Sequence, residues 1–181
     1  DYLMSEVLSQ TSPAIEDFFL KTAILDRMCG PLCEAVLGHD DLAEIGQARL
    51  EWLEQNNLFT VSLDNERRWY RYHHLFRNLL RNRLQQRCDT SEVALLHSRA
   101  STWLAGQGLL EEALHHALLG HDTPGAVSML AAHRHALMDT EQWQLHHRTL
   151  RMFPEKTVAA YPDLLMMAAW IARLGGSDAA Q

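Results

Sequence analysis

The hydrophobic and polar positions are arranged most regularly between Leu58 and Leu84. A run of apolar and β-branched residues, Leu58 to Leu63, is followed by the polar cluster Asp64 to Arg67 and the aromatic-rich run Trp69 to Tyr72. Two such runs around a short polar loop are typical of a β-hairpin. The pattern therefore predicts a hairpin in this stretch.

A helical period begins at His73, directly after the predicted hairpin. Apolar residues recur there at steps of three and four, which places them on one face of a helix. They are Tyr72, Phe76, Leu80 and Leu84, with Leu75 and Leu79 beside them. The hairpin is therefore predicted to lead straight into an amphipathic helix.

Three or four short helices are predicted before the hairpin. Ser12-Pro13 offers a capping hydroxyl and a proline at the first helical position. Gly30-Pro31 interrupts the pattern, Gly38 ends a short helix, and Asn56-Asn57 ends a longer one. Two further signals are a helix tail at Tyr2–Leu8 and a capping pair at Asp40-Asp41. Helices followed by a two-stranded wing are typical of a winged-helix domain, which we predict for residues 1–88.

The pattern is helical throughout residues 89–181. Five helices are predicted, with a short turn between Pro154 and Pro162, where the last helix begins. Trp103-Leu104-Ala105 and Trp170-Ile171-Ala172 lie 67 residues apart, near two periods of the ~34-residue tetratricopeptide repeat. We predict a tetratricopeptide-like helical repeat segment, with an ordinary helical bundle as the alternative. The predicted fold class is thus mainly α, a winged-helix domain with a short β-hairpin followed by these repeats.

Composition indicates a globular protein. The chain has 181 residues, of which 47% are hydrophobic and 22% charged, enough for one or two domains with a core. The net charge of −7 does not favour nucleic acid or an anionic membrane as a partner of the whole chain. No apolar window reaches the roughly 18 residues of a membrane span, and the first residues of the sequence show no pattern of a secretory signal. We interpret the chain as a piece of a larger protein.

The arginines are distributed unevenly. Seven of the 16 lysines and arginines lie between Arg67 and Arg87, where there is no aspartate or glutamate. Such a cationic segment can hold phosphates or pair with an acidic neighbouring domain. A solvated helix face is the alternative interpretation.

Signatures of catalysis and metal binding are missing from the sequence. There is no GxxxxGK[ST], HExxH or GxSxG motif, so we expect neither enzymatic activity nor triphosphate binding by this chain alone. Adjacent histidines on a helix point about 100° apart, so each pair is predicted to be one buried and one exposed ring, with no metal. The odd number of cysteines, namely Cys29, Cys33 and Cys88, is typical of a reducing cytoplasm.

The segment Trp69-Tyr70-Arg71-Tyr72-His73-His74-Leu75-Phe76, with Asn57-Leu58-Phe59 before it, resembles a known family. This family is the MalT-like large ATP-binding transcriptional regulators of the LuxR type, which are signal-transduction NTPases with numerous domains. Further stretches match the same pattern in the same order, and they are Phe18–Asp26, Pro31–Ala35, Leu96–Ala100 with Trp103, and Glu112–Leu118.

The resemblance implies a place within a larger architecture. Such regulators carry a P-loop ATPase core, a winged helix, a tetratricopeptide-like superhelix that binds the inducer, and a C-terminal helix-turn-helix that binds promoter DNA. This chain resembles the middle of that order. The implied partners are the NTPase domain of the same parent chain and a small-molecule inducer or protein effector on the repeats. Promoter DNA is reached only through the further C-terminal domain, no membrane is involved, and ADP or ATP belongs to the full-length parent.

The resemblance also implies a contact residue. In related switch ATPases, a histidine at the start of a winged-helix helix touches the β-phosphate of ADP and holds the off state. The matching position is His73, with His74 as the alternative, and Arg71 and Arg77 add positive charge beside it. A helix N-terminus itself favours phosphate. Relatives have Met-His-Asp where this chain has Tyr72-His73-His74.

Two other functions remain open at this point. The winged helix is the DNA reader in one of them, with Arg67, Arg68 and Arg71 on the wing and Arg77, Arg81 and Arg83 on the helix. The acidic stretch Asp41–Gln55 before the wing argues against a recognition helix in the major groove. The other alternative is a plain protein-interaction repeat module.

Overall fold

The computed structural model describes residues 12–38, 43–138 and 143–178, and within them the chain is mainly helical. The helices are α1 (Pro13–Thr22), α2 (Gly30–Leu37), α3 (Ala43–Gln55), α4 (His74–Arg87), α5 (Thr90–Gly106), α6 (Leu110–Leu119), α7 (Thr123–Met138), α8 (Trp143–Leu150), α9 (Glu155–Ala160) and α10 (Pro162–Asp178). Strands β1 (Thr60–Ser62) and β2 (Tyr70–Tyr72) form one sheet between α3 and α4. The predicted mainly α fold with a winged-helix order is confirmed. The predicted signals at Tyr2–Leu8 and Asp40-Asp41 lie outside the described residues.

The first helices begin and end at the residues that the sequence indicates. The hydroxyl of Ser12 accepts a hydrogen bond from the N–H of Ile15 at 3.4 Å, and Pro13 is the first residue of α1. Gly38 ends α2 with a φ of 81°, which glycine adopts without steric cost. These local signals set the bounds of α1 and α2.

Helices α2 and α3 approach each other through backbone contact. A Cβ on Gly46 would lie 2.5 Å from the carbonyl oxygen of Gly30, and a Cβ on Gly30 would lie 2.5 Å from the backbone nitrogen of Gln47. Gly30 was expected to interrupt the chain, but it is the first residue of α2. Glycine is therefore required at this crossing for close packing.

The wing is an antiparallel pair closed by an acidic turn. Thr60 pairs with Tyr72, and Ser62 pairs with Tyr70. The carboxylate of Asp64 accepts hydrogen bonds from the backbone N–H groups of Arg68 and Trp69, at 2.9 and 3.2 Å. On the other edge of β2, Met28 and Tyr70 exchange two backbone hydrogen bonds of 2.8 Å. The pairing of β1 with β2 confirms the predicted hairpin. The pairing of Met28 with Tyr70 connects this hairpin to the segment between α1 and α2.

An aromatic cluster joins α4 to the wing and to α1. The ring of Phe76 stacks on Phe59 with centroids 4.6 Å apart and meets Phe19 edge-on at 5.1 Å. Phe76, Leu80 and Leu84 are buried as the period predicts. Leu75 differs, because it lies to the side of this stripe and is 58% exposed.

The helices after α4 contribute to two cores. Asp89 caps α5 in a capping box with Glu92, and Leu96, Ala100 and Leu104 of α5 pack into the core of the winged helix. A second core joins α6, α7 and α10 with Phe153, which lies between α8 and α9. Its other members are Leu110, Leu114, Ala117, Ala126, Val127, Leu130, Leu164 and Met167. The division at residue 88 and the tetratricopeptide-like periodicity stay predictions.

A short helix replaces the predicted turn between Pro154 and Pro162. Helix α9 buries none of its residues, so it carries no apolar period from which it could have been predicted. None of the helices in the described part of the chain is long and apolar enough to span a membrane.

Candidate functional site

His73 lies at the junction of the wing and α4. Its backbone N–H donates to the carbonyl of Phe59 at 2.8 Å, and its own carbonyl accepts from the N–H of Arg77 at 2.9 Å. Its imidazole makes no capping hydrogen bond and is exposed. The first N–H groups of a helix lack intrahelical partners and carry partial positive charge. The ring of His73 therefore stands in solvent at a site that suits an anion.

The exposure of His73 and His74 contradicts the prediction for adjacent histidines. Both rings are exposed, whereas the other two pairs that the structure describes contain one buried and one exposed ring as predicted. Those pairs are His115 with buried His116, and His147 with buried His146. The difference arises because the chain is buried at Tyr72 of β2 and again at Phe76 of α4, and neither histidine between them lies on the buried side.

The two arginines predicted to add positive charge differ in the described structure, because Arg71 is unpaired and Arg77 forms an ion pair with Asp26. Arg71 points outward from β2, as His73 does two positions later, because side chains alternate along a strand. Arg71 is exposed and has no carboxylate partner among the described residues. Nη1 of Arg77 donates to Oδ1 of Asp26 at 2.7 Å. The structure thus groups Arg71, His73 and His74 on the surface and directs Arg77 towards Asp26.

The arginine-rich segment is partly neutralised by carboxylates elsewhere in the described chain. Six of its seven arginines form ion pairs with carboxylates outside α4. The pairs are Arg67–Glu54, Arg68–Glu66, Arg77–Asp26, Arg81–Asp26, Arg83–Glu16 and Arg87–Glu16. These six arginines share four carboxylates, so the pairs offset only part of the positive charge of the segment. The pairing therefore reduces the positive charge that is available to duplex DNA.

Asp26 and Glu16 were missed as partners of this segment. Each lies more than fifty residues before the arginines that it binds, and residue spacing carries no information about such distant pairs. The only available signal was the absence of acidic residues between Arg67 and Arg87, which implies partners elsewhere in the chain.

A second histidine pair lies buried between α5 and α6. Nδ1 of His97 and Nδ1 of His116 are 2.8 Å apart, and both side chains are buried. One ring must donate and the other accept, which requires that the accepting imidazole is neutral. Burial, assisted by neighbouring positive charge, lowers the pKa of His97 to about 4 and the pKa of His116 to about 3.

This pair predicts a loss of stability in mild acid. The pKa values are lower in the folded chain than the usual 6.5, so the unfolded chain binds more protons as the pH falls below about 6.5. At pH 5 each ring therefore lowers the free energy of unfolding by about 2 kcal/mol relative to neutral pH, since one pKa unit corresponds to about 1.4 kcal/mol. Urea unfolding at pH 7.5 and pH 5 measures this loss.

The variant His116→Gln provides the comparison for the pH measurement. Glutamine keeps hydrogen-bonding capacity but does not titrate, so the variant should lose less stability between the two pH values than the wild type. Replacement of the exposed His115 by glutamine should leave the wild-type loss intact. An equal loss in wild type and His116→Gln would contradict the assignment.

The fold and the exposed histidine define a winged-helix domain whose final helix begins at a solvent-facing imidazole and which continues into packed helices. Residues 4–92 match the family model described as the MalT winged helix domain. Over 171 residues, or 94% of this chain, the sequence is 33% identical to the HTH-type transcriptional regulator MalT of Cronobacter sakazakii. The chain spans 18% of the length of that relative. The chain is therefore MalT-like, with a match to the MalT winged helix domain over its first half, which confirms the resemblance.

Proposed function

We propose that this chain is a regulatory segment of a LuxR-type transcriptional regulator. In this proposal the winged helix senses whether an NTPase domain of the same cytoplasmic parent chain holds ADP or ATP. The observation that carries the proposal is the exposed ring of His73 at the N-terminus of α4, beside the exposed Arg71. The MalT relative is itself named as a transcriptional regulator.

The chemistry of the site suits a phosphate group. The N–H groups of the first turn of α4 and the imidazole of His73 are hydrogen-bond donors, and a guanidinium such as Arg71 matches the geometry of phosphate oxygens. Arg77 contributes less charge than the sequence implies, because Asp26 already binds it. The winged helix closes over ADP through His73 and releases when the nucleotide changes.

The helices after the winged helix receive the regulatory signal in this proposal. Helix α5 packs its apolar face into the winged-helix core, and α6 packs against α5. An inducer or protein effector that binds α5–α10 would thus act on the same core that supports α4. The segment has no catalytic role of its own.

The test is His73→Ala in the full-length parent. Loss of one charge-assisted hydrogen bond should lower the affinity for ADP roughly tenfold to a hundredfold and raise transcription in the absence of inducer. His147→Ala, which removes an exposed imidazole from α8, should change neither quantity. Retained nucleotide and basal transcription are the two measurements, and His74→Ala distinguishes between the two adjacent rings.

Two results would contradict the proposal. One is unchanged ADP retention and basal transcription in both His73→Ala and His74→Ala. The other is binding of this chain to duplex DNA at low salt that falls steeply as salt rises, since each phosphate contact releases counterions. That second result would favour the winged helix as a DNA reader, despite the ion pairs that occupy its arginines.

A further inference from the structure

The segment between α1 and α2, residues 23–28, contacts both α4 and α6. We name it the 23–28 loop. Its apolar residues Ala23, Leu25 and Met28 are buried, and Met28 pairs with β2. Its two charged residues, Asp26 and Arg27, point outward in different directions and bind different elements. A loop anchored in this way transmits displacement between the elements that its side chains bind.

On one side, the 23–28 loop binds α4. Oδ1 of Asp26 accepts hydrogen bonds from Nη1 of Arg77 at 2.7 Å and from Nη2 of Arg81 at 3.1 Å. Arg81 also donates to the carbonyls of Ala23 and Ile24, at 2.8 and 2.9 Å. Because the N–H of Arg77 closes the first turn of α4 on the carbonyl of His73, this contact reaches the turn that carries the candidate site.

On the other side, the 23–28 loop binds α6 and β2. Arg27 forms a bidentate pair with Glu112 of α6, with N–O distances of 2.6 and 3.0 Å. Its guanidinium carbon also lies 4.1 Å from the centroid of the Trp69 ring. Trp69 directly precedes β2, whose chain leads into His73. Glu112 is thus linked to His73 through Asp26 and α4, and through Trp69 and β2.

We infer that the Arg27–Glu112 pair is a coupling contact through which the position of α6 controls the first turn of α4. Movement of α6 displaces Arg27, loosens the 23–28 loop and changes the hold of Asp26 on Arg77. The meaning of this coupling for regulation rests on the proposed role of His73 in nucleotide sensing. The coupling itself requires no nucleotide, so the coupling and the role of His73 are tested by different measurements.

Amide hydrogen exchange of this chain tests the coupling, with the Arg77 amide as the readout. Glu112→Gln removes one charge from the bidentate pair, and it should accelerate exchange at Arg77 roughly twofold to fivefold. Arg27→Lys keeps the charge but loses the fork that binds both carboxylate oxygens, and it should act in the same direction. Asp26→Asn should accelerate exchange at the same amide, and adding Glu112→Gln to it should produce less than the product of the two effects.

Glu111→Gln is the matched control. Glu111 is the neighbouring residue on α6, but it pairs with Arg148 of α8 at 3.3 Å and with no described residue of the winged helix. Its replacement removes the same charge from the same turn and should leave the Arg77 amide at the wild-type rate. Unchanged exchange at Arg77 in both Glu112→Gln and Arg27→Lys would overturn the inference, and so would equal acceleration in Glu111→Gln.

Discussion

Replacement of Phe76 by alanine is expected to lower the free energy of unfolding by about 3–5 kcal/mol. The ring is fully buried and contacts three other aromatic rings, from α1, from the segment before β1 and from β2. Its removal leaves a cavity where these elements meet, so the lost contacts add to the lost transfer free energy. Because a domain is stable by only about 5–15 kcal/mol, much of the stability depends on this ring.

The neighbouring residue provides the control for this prediction. Leu75 is 58% exposed, so Leu75→Ala should change the free energy of unfolding by at most about 0.5 kcal/mol. Urea unfolding followed by circular dichroism compares the two variants. Similar losses in Phe76→Ala and Leu75→Ala would mean that α4 is rotated relative to the structure described here.

The second large effect is expected at the crossing of α2 and α3. Gly46→Ala should lower the free energy of unfolding by about 2–3 kcal/mol, because the added methyl group overpacks the crossing and forces the backbone to shift. The added methyl would meet the carbonyl oxygen of Gly30 and the Cγ of Glu34, at 2.5 and 2.9 Å. The first of these is a backbone atom, so rotation of a side chain cannot relieve the clash.

A second glycine replacement should have the opposite sign. A Cβ on Gly106, the last residue of α5, would meet no atom of the described residues within 4 Å. Gly106→Ala should therefore raise the stability by up to about 1 kcal/mol, since alanine loses less conformational entropy in a helix. Thermal denaturation of both variants tests the pair, and a raised melting temperature for Gly46→Ala would refute the close crossing.

The periodic features of the fold could be predicted from the sequence because their causes are local. The buried stripe of α4, the cap at Ser12 and the end of α2 at Gly38 each depend on residues within a turn of one another. Helix α9 was not predicted, since it buries no residue and lies between two prolines that indicate a turn. The contact between Gly30 and Gly46 was also missed, because one glycine carries no information about which backbone approaches it.

The candidate site could be located but not assembled from the sequence. Resemblance indicated His73, and the helical period placed it at the start of α4. The partner of Arg77 could not be predicted, because Asp26 reaches it only through the packing of the 23–28 loop against α4. The same packing joins Arg27 to Glu112, 85 residues away. Long-range ion pairs of this kind depend on the tertiary fold and leave no trace in residue spacing.

The attachment of β2 has a consequence for how the domain moves. Met28 covers one edge of β2 with two backbone hydrogen bonds, and the hydroxyl groups of Thr22 and Tyr72 are hydrogen-bonded at 2.7 Å. Bending of the wing alone would break these bonds in a buried environment, where unpaired polar groups are costly. The wing should therefore move together with Thr22 and Met28 and should not bend on its own.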